Sequence, residues 1–184
     1  MKVASKSGFG QGSVATASQP AMDLYFIETP APGRLATARR PRSGSALPRE
    51  MARLREQGVD VLASLLSPGE VSVLRLDAER DLAADADIEF LSFPIEDHGV
   101  PASDVAVTRF STALAQRIAD GKSVVVHCRA GIGRSSLMAA VTLLRLEPGL
   151  TAQGAAQRIS RARGLDVPET SAQKKWLKAF QPRL

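Results

Sequence analysis

The stretch Val124–Ser136 reads VVVHCRAGIGRSS, and it decides the fold. It opens on apolar β-branched residues, which are typical of a strand in the middle of a sheet that is covered on both faces. The next segment, Leu137–Leu144, reads LMAAVTLL and suits a buried helix. Arg129–Arg134 must then form a tight loop at the carboxyl end of the strand, where ligands bind in α/β sheets. The stretch therefore predicts a strand, a binding loop and a helix in direct succession.

The rest of the chain alternates strands with helices, which predicts the α/β class. Ser67, Pro68 and Glu70 supply a cap, a first-turn proline and a capping-box acid at one helix start. The opening strand pair, joined by a Pro-Ala-Pro-Gly turn, indicates a mixed sheet. We predict a single domain whose mixed central sheet of about five strands is flanked by helices. Strands are predicted over residues 23–30, 33–39, 59–66, 88–95 and 123–127, and helices over 47–57, 67–85 with a break near 77, 103–119, 135–146, 151–163 and 171–180.

Length and composition limit the kind of protein. A chain of 184 residues with 44% hydrophobic and 23% charged residues fits one globular domain. No apolar run approaches the roughly 18 residues that cross a bilayer, so no membrane span is predicted. The single cysteine excludes an intramolecular disulfide and favours a reducing compartment, which predicts a cytoplasmic protein. One cysteine and two histidines are too few for a zinc site, and no metal or other cofactor is predicted.

Residues 1–20 differ in composition from the rest of the chain. They are rich in Gly, Ser, Ala and Gln without hydrophobic periodicity, which predicts a disordered tail before a folded domain at residues 21–184. An organellar transit peptide and an expression remnant are alternatives, although the tail has no arginine. The net charge of +5 favours anionic partners, or equally a basic solvated surface. Aromatic residues are only 4% of the chain, so nucleic acid is not an expected partner.

The loop after the central strand has the composition of an anion-binding site. Its two glycines let the backbone turn so that several N–H groups point inward, and the positive end of the next helix lies behind them. Cys128 stands at the floor of this loop, where the same field favours the thiolate. Arg134 returns its guanidinium to the rim, where it can hold two phosphate oxygens. The predicted phosphate-binding residues are Arg129, Ala130, Gly131, Ile132, Gly133 and Arg134.

A nucleophile beneath a bound tetrahedral anion predicts phosphoryl transfer to the sulfur of Cys128. The alternative is a structural buried cysteine followed by a glycine turn. A Walker-type loop is excluded, because no Gly-Lys-Ser/Thr follows the glycines.

This Cys-x5-Arg pattern resembles that of the cysteine-dependent dual-specificity phosphatases, and the chain is most similar to the cyclin-dependent-kinase-associated type and its bacterial relatives. The resemblance implies a tyrosine-phosphatase-like fold and a catalytic domain over residues 21–184. It also implies metal-independent hydrolysis of phosphotyrosine, phosphoserine and phosphothreonine through a cysteinyl phosphate, with phosphoproteins or phosphopeptides as partners and phosphate-, sulfate- or vanadate-type anions as ligands. Phosphoinositides, nucleotides or RNA 5′-phosphates are alternative substrates, and a non-catalytic phosphate-binding module is the alternative class. The matching pieces are GVDVLASLL, FPIEDHGVP, VVVHCRAGIGRSSLMAAVTLL and PETSAQKKWLKAF.

Phosphoryl transfer also needs a general acid that protonates the departing oxygen. The segment IEFLSFPIED delivers Asp97 to the end of a neighbouring strand, and the resemblance places the general acid at this position. Glu96 and His98 are the adjacent alternatives. Ser135 is predicted to hydrogen-bond the sulfur of Cys128 and to assist its release, and it also suits a helix N-cap.

Two further residues are predicted to support the site. His127 is expected to bond to backbone near Cys128 and orient the loop, or else to be a core histidine. The resemblance aligns 169–173 (Glu-Thr-Ser-Ala-Gln) with a stretch that positions the hydrolytic water in larger tyrosine phosphatases. That stretch reads Gln-Thr-x-x-Gln; Gln173 matches its second glutamine, whereas Glu169 replaces its first. Alternatively, Gln173 is simply a polar residue in a first helical turn.

The basic residues in and near this loop do not decide between the alternative substrate classes. Arg129 resembles the basic loop position of phosphoinositide phosphatases, whereas Ile132 does not match their second basic position. The basic segment with Arg39, Arg40 and Arg42 follows the second predicted strand. It either helps to bind an anionic substrate or is a solvated basic loop.

Overall fold

A computed structural model describes residues 21–180 of the chain. The predicted tail at residues 1–20 and the last four residues lie outside the described part, so the predicted domain boundaries stay predictions. Within the described part, no helix combines the length and the apolar character that a membrane span requires.

Five strands and seven α-helices follow one another along residues 21–180. A short 3-10 turn, Gly44–Ala46, precedes the first helix. The strands are β1 (Leu24–Ile27), β2 (Arg34–Arg39), β3 (Val61–Ser64), β4 (Glu89–Ser92) and β5 (Ser123–Cys128). The helices are α1 (Leu47–Glu56), α2 (Pro68–Val73), α3 (Glu79–Asp85), α4 (Asp104–Ala119), α5 (Arg134–Leu146), α6 (Ala152–Arg163) and α7 (Ser171–Ala179).

The strands form one mixed sheet in the order β1-β2-β5-β3-β4. Only the β1–β2 pair is antiparallel, and β2, β5, β3 and β4 run parallel to their neighbours. The predicted mixed five-stranded sheet is therefore confirmed. β5 lies at its centre with all six residues buried, as its β-branched composition predicts. This topology brings the ends of β2, β5 and β3 to the same edge, where the loop between β5 and α5 begins.

The alternation of side chains along β5 divides the core into two clusters. Val124, Val126 and Cys128 face one layer, which includes Leu114 of α4 and Leu137 of α5. The opposite face contributes to a second cluster, packed against α1 and α3 and built around Val125, Met51, Leu54 and Ala83. Helices thus cover both faces of the sheet, as expected for parallel strands.

The helical stretch predicted over residues 67–85, with a break near 77, is two helices, as that break predicts. α2 ends at Val73 and α3 begins at Glu79, and between them Arg75 has a left-handed backbone with φ of +56°. This break turns Leu76 inward, where it is fully buried in the second core cluster. Burial of one leucine side chain stabilises a fold by about 2 kcal/mol, which offsets the loss of helical continuity.

Candidate active site

The loop that is predicted to bind phosphate, called the phosphate loop below, spans residues 129–133 and joins the end of β5 to the start of α5. Gly131 has φ of +73°, and a Cβ at this position would lie 2.5 Å from the backbone carbon of Ala38 and the nitrogen of Arg39. A Cβ on Gly133 would lie 2.8 Å from Oε1 of Gln173. Gly131 is therefore required by its positive φ and its close approach to the β2 backbone, whereas Gly133 lies against the end of the Gln173 side chain.

Cys128 is buried at the floor of this loop, with 2% of its surface exposed. The Gly131 backbone N–H donates to its sulfur at 3.3 Å, and Oγ of Ser135 lies 3.5 Å from the same sulfur. The loop amide and the hydroxyl thus converge on one atom. Ser135, at the first turn of α5, is itself fully buried.

The guanidinium of Arg134, which is predicted to lie at the rim of the loop, is buried against α2 and the segment that follows β4. Only 2% of the side chain is exposed. Its Nη1 and Nη2 donate to the Glu70 carboxylate at 2.5 and 2.9 Å, and Nη1 also donates to the Ile95 carbonyl at 2.8 Å. Nη2 donates to Oδ1 of Asp97 at 2.7 Å. Burial alone would lower the pKa of Arg134, but its bonds to Glu70 and its attraction to Cys128 and Asp97 outweigh burial and raise that pKa.

Glu70 is a site residue that sequence analysis missed, because its capping role explained its presence. The predicted capping box with Ser67 is formed, and the Ser67 backbone N–H donates to Oε2 of Glu70 at 3.0 Å. The same carboxylate holds both terminal nitrogens of Arg134, 64 residues away. Burial acts to raise the pKa of Glu70, but the hydrogen bonds from Arg134 and from the Ser67 N–H outweigh it and hold that pKa below its ordinary value.

Asp97 reaches the site from the turn that follows β4. Besides the bond from Arg134, its Oδ1 accepts from the His98 backbone N–H at 3.1 Å. Its Oδ2 lies 3.8 Å from Nη1 of Arg129 and 3.8 Å from Nε2 of His98. The side chain is 39% exposed. Of the three neighbouring candidates for the general acid, the structure joins Asp97 to Arg134, while Glu96 is exposed and contributes its backbone carbonyl to the turn.

His127 does not make the predicted bond to backbone near Cys128. Its ring lies on the opposite face of the sheet, where Nε2 is 3.0 Å from Oε1 of Glu79. Both side chains are buried, and among the described residues neither ring nitrogen of His127 nor Oε1 of Glu79 makes a hydrogen bond. The physical reason is strand alternation, which turns residue 127 away from the side that residue 128 faces.

Gln173 is fully buried, and both ends of its amide are engaged. Its Nε2 donates to the Gly99 carbonyl at 2.9 Å, and its Oε1 accepts from the Thr170 backbone N–H at 3.2 Å. Gln173 thus ties the turn that bears Asp97 to the start of α7, and its role in positioning water stays a prediction. Glu169 is the partly exposed neighbour, with Oε2 3.7 Å from Nδ1 of His98.

The basic segment after β2 is divided by the structure. Arg42 pairs with the buried carboxylate of Glu50 at 2.6 Å, so its guanidinium binds α1. Arg39 and Arg40 lie at the end of β2, and the Arg40 N–H donates to the Arg129 carbonyl at 3.4 Å. These two arginines therefore lie beside the phosphate loop. Among residues 21–180, no group of three or more His, Cys, Asp or Glu side chains is arranged to hold a metal ion.

With these contacts in place, the fold and the loop point to the class of cysteine-dependent phosphatases. The family model described as "Polymorphic toxin system, DSP-PTPase phosphatase" matches residues 36–147, which is more than half of the chain. The chain therefore belongs to this family of dual-specificity phosphatases. The class predicted from the Cys-x5-Arg pattern is confirmed.

Curated relatives share the same region at moderate identity. Cyclin-dependent kinase inhibitor 3 of Rattus norvegicus is 29% identical over 132 residues, which are 71% of this chain and 61% of the relative. The protein of the same name from Homo sapiens is 28% identical over the same length and shares. This chain thus spans 61% of the length of these relatives.

Solved structures confirm the tyrosine-phosphatase-like fold. Kinase-associated phosphatase, with its catalytic-site cysteine replaced by serine, superposes with a TM-score of 0.80 at 21% identity, covering 89% of this chain and 96% of that one. The active form of Tk-PTP gives a TM-score of 0.71 at 27% identity, covering 88% and 97% of the two chains. The predicted resemblance to the kinase-associated type is confirmed.

Proposed function

We propose that this chain hydrolyses phosphate monoesters of phosphorylated proteins through a phosphate covalently bound to Cys128. The observation that carries the proposal is the convergence on one loop of a buried cysteine, a buried arginine and a carboxylate. The sulfur accepts from the Gly131 amide at 3.3 Å, and Arg134 and Asp97 are joined at 2.7 Å. These are a nucleophile, a phosphate-binding cation and a proton donor within one small volume.

The N–H donors of Arg134 that are not already bonded determine how this side chain binds phosphate. A guanidinium has five N–H donors. Within residues 21–180, Glu70 takes two of them, the Ile95 carbonyl takes a third and Asp97 a fourth. Only the Nε donor remains. When phosphate displaces Asp97, it can therefore accept hydrogen bonds from both Nε and Nη2 in a bidentate arrangement. Binding therefore releases Asp97 toward the leaving oxygen at the moment when a proton donor is needed.

The reaction then proceeds in two steps. The Cys128 thiolate attacks phosphorus and the bond to the leaving oxygen breaks. Asp97, which takes up a proton from solvent after it has left Arg134 and enters this step as the carboxylic acid, transfers that proton to the leaving oxygen. In the second step the Asp97 carboxylate takes a proton from water, whose oxygen attacks phosphorus and breaks the S–P bond. The Ser135 hydroxyl, 3.5 Å from the sulfur, donates to the thiolate as it leaves.

Release of phosphate from para-nitrophenyl phosphate and from phosphotyrosyl and phosphothreonyl peptides tests the proposal. Turnover by the wild-type chain is expected to disappear in Cys128→Ser, because an alcohol is a far weaker nucleophile than a thiolate. Rapid acid quenching of the wild type should trap phosphate on a peptide that contains Cys128. Unchanged peptide turnover by Cys128→Ser would contradict the proposed mechanism, and peptide binding without turnover by the wild type would favour a phosphate-binding module.

The family description supplies a biological setting for the same chemistry. It associates the matching domains with polymorphic toxin systems. We propose that the chain acts as the phosphatase component of such a system, with phosphoproteins as substrates. Regulated expression in a test cell is expected to slow growth for the wild type but not for Cys128→Ser. Equal growth inhibition by both variants would contradict a toxic role of the phosphatase activity.

A further inference from the structure

His98 lies in the turn that bears Asp97, and the chemistry described above does not use its side chain. Its backbone is left-handed, with φ of +59°, and its N–H donates to Oδ1 of Asp97 at 3.1 Å. A non-glycine residue with positive φ is uncommon, and such residues cluster at functional sites. The ring nitrogen Nε2 lies 3.8 Å from Oδ2 of the same carboxylate. The backbone and the side chain of His98 thus face both oxygens of the proposed proton donor.

The other ring nitrogen of His98 faces a carboxylate from a distant part of the chain. Nδ1 is 3.7 Å from Oε2 of Glu169, in the segment before α7. Ionised carboxylates only accept hydrogen bonds, so the imidazolium, which donates from both nitrogens, is the form of His98 that suits both neighbours. The Glu169 carboxylate also lies against the phosphate loop, because a Cβ on Gly133 would be 3.1 Å from its Oε2. The ring therefore connects Asp97 to a carboxylate that lies beside this loop.

A buried amide holds the two connected segments together. Nε2 of the fully buried Gln173 donates at 2.9 Å to the carbonyl of Gly99, which follows His98 in the chain. Oε1 of the same amide accepts at 3.2 Å from the N–H of Thr170, which follows Glu169. The contact between His98 and Glu169 therefore lies beside a buried hydrogen-bonded link and does not depend on two surface side chains alone.

The charged groups around the His98 ring come from three segments. Asp97 precedes it in the turn, and Glu169 faces it from the segment before α7. From the phosphate loop, Nη1 of Arg129 lies 3.8 Å from the same Oδ2 that faces the ring. Arg134 contacts the other oxygen, Oδ1, at 2.7 Å. When phosphate replaces Asp97 on Arg134, Oδ2 therefore keeps two cationic neighbours.

We propose that His98 is a positioning residue, whose imidazolium, anchored by Glu169, holds the Asp97 carboxyl group at the phosphate loop after phosphate has displaced it from Arg134. This inference rests on the proposed phosphatase function, in which Asp97 is the proton donor. The Asp97 side chain is 39% exposed and lies on a turn, so a released carboxyl group without a partner would rotate into solvent. A contact that persists in the substrate complex restricts this rotation and keeps the acid near the leaving oxygen.

In this role His98 transfers no proton. Its Nε2–H donates to Oδ2 of Asp97 throughout the first step. Oδ1, the oxygen that Arg134 releases, then carries the proton that moves to the leaving oxygen. Each oxygen of the carboxyl group thus has one task, because Oδ2 is held and Oδ1 reacts.

Replacement of His98 by asparagine removes the imidazole and keeps a residue type that tolerates a left-handed backbone. With a phosphothreonyl peptide at about pH 5.5, kcat is expected to fall about fivefold, the upper end for an exposed ion pair, while KM changes little. Glu169→Gln should lower kcat in the same direction, because the ring loses its anchor. Glu96→Gln, which alters an exposed acid of the same turn, is the matched control and should keep the wild-type kcat.

The pH profile separates positioning by a charged ring from a merely structural role. Imidazole loses its charge as pH rises through the neutral range, so the ratio of wild-type kcat to His98→Asn kcat should fall from about five at about pH 5.5 to about one at about pH 8.5. Groups that titrate equally in both proteins cancel in this ratio. In an Asp97→Ala background, His98→Asn should leave the remaining kcat unchanged, because His98 acts through Asp97.

Three results would overturn the positioning role. They are an unchanged kcat in His98→Asn, a ratio that is the same at both pH values, and a loss of the same size in the Asp97→Ala background. Each of these results leaves the proposed function intact as long as the wild type turns over the peptide and Cys128→Ser does not. Absence of turnover by the wild type would instead refute the proposed function and the positioning role together.

Discussion

Replacement of Glu70 by glutamine tests how the fold holds Arg134, the proposed phosphate-binding arginine. The carboxylate accepts from Nη1 and Nη2 of Arg134 at 2.5 and 2.9 Å. Glutamine keeps one acceptor but presents an amide NH2 to the second guanidinium nitrogen. Because a hydrogen bond to a charged group contributes about 1.5–3 kcal/mol, and Asp97 and the Ile95 carbonyl still hold Arg134, the free energy of unfolding should fall by about 2 kcal/mol.

Urea unfolding and thermal melting measure this loss. For a chain of this size, a loss of about 2 kcal/mol lowers Tm by roughly 4–8 °C. The native-state pKa of Glu70 is depressed, so its stabilising effect is fully present above the unfolded value and is lost as pH falls through the native value. The stability difference between wild type and Glu70→Gln should therefore be largest near pH 7 and should vanish in acid.

Activity separates Glu70 from an ordinary buried acid. Glu50→Gln is the matched control, because Glu50 is a fully buried carboxylate that pairs with Arg42 at 2.6 Å, outside the phosphate loop. Both variants should lose stability, but only Glu70→Gln should lower kcat/KM, by about a hundredfold, since a misplacement of about 1 Å costs that much. The reasoning is refuted if Glu70→Gln keeps wild-type kcat/KM, or if both variants lose it equally.

Three further substitutions or treatments probe the loop and the acid. Asp97→Ala should lower kcat at least a hundredfold, yet inorganic phosphate should inhibit it competitively with a severalfold lower inhibition constant, because the carboxylate no longer competes for Arg134. The control Glu96→Gln should change neither quantity, and weaker phosphate binding by Asp97→Ala would contradict this competition. Gly131→Ala should destabilise the fold by about 3 kcal/mol or more, as its Cβ meets β2 backbone at 2.5 Å, whereas Gly149→Ala, with φ of +92° and open space around it, should cost only about 1–2 kcal/mol. Hydrogen peroxide should inactivate the enzyme through a sulfenic acid on Cys128 that added thiol reverses, and mass spectrometry should find no internal disulfide since no second cysteine exists. Full activity after stoichiometric oxidation of that sulfur would exclude it as the nucleophile.

The parts of the molecule that local patterns determine were predictable from the sequence. β5, the phosphate loop and α5 follow one another without interruption, so strand composition, glycines and helix periodicity were sufficient to place them. The left-handed Gly164 ends α6 where the sequence predicts a helix exit. Strand ends were less accurate, because buried residues such as Leu65 and Ile95 continue the apolar pattern beyond the paired segments.

Contacts between distant segments were not predictable in the same way. The bonds from Arg134 to Glu70 join residues 64 positions apart, and a capping box already explained Glu70 locally. His127 and Glu79 lie close together because of strand alternation and the break before α3. No local pattern in the sequence links these two residues. Such pairs depend on how helices dock on the sheet, which periodicity does not specify.

The two carboxylates on Arg134 differ in how firmly they are held, and this difference separates a structural role from an exchangeable one. The Glu70 side chain is 13% exposed, grips two nitrogens of the guanidinium and is also fixed by the Ser67 N–H at 3.0 Å. Asp97 is 39% exposed, lies on a turn and binds Arg134 through one oxygen. In the proposed mechanism, an incoming phosphate therefore displaces Asp97 at a lower cost than Glu70, because fewer bonds are broken and water reaches the freed carboxylate. In the proposed mechanism, Glu70 is thus the permanent partner that orients Arg134, and Asp97 is the temporary partner that leaves when phosphate binds, so the position of the proposed proton donor is coupled to occupancy of the phosphate site.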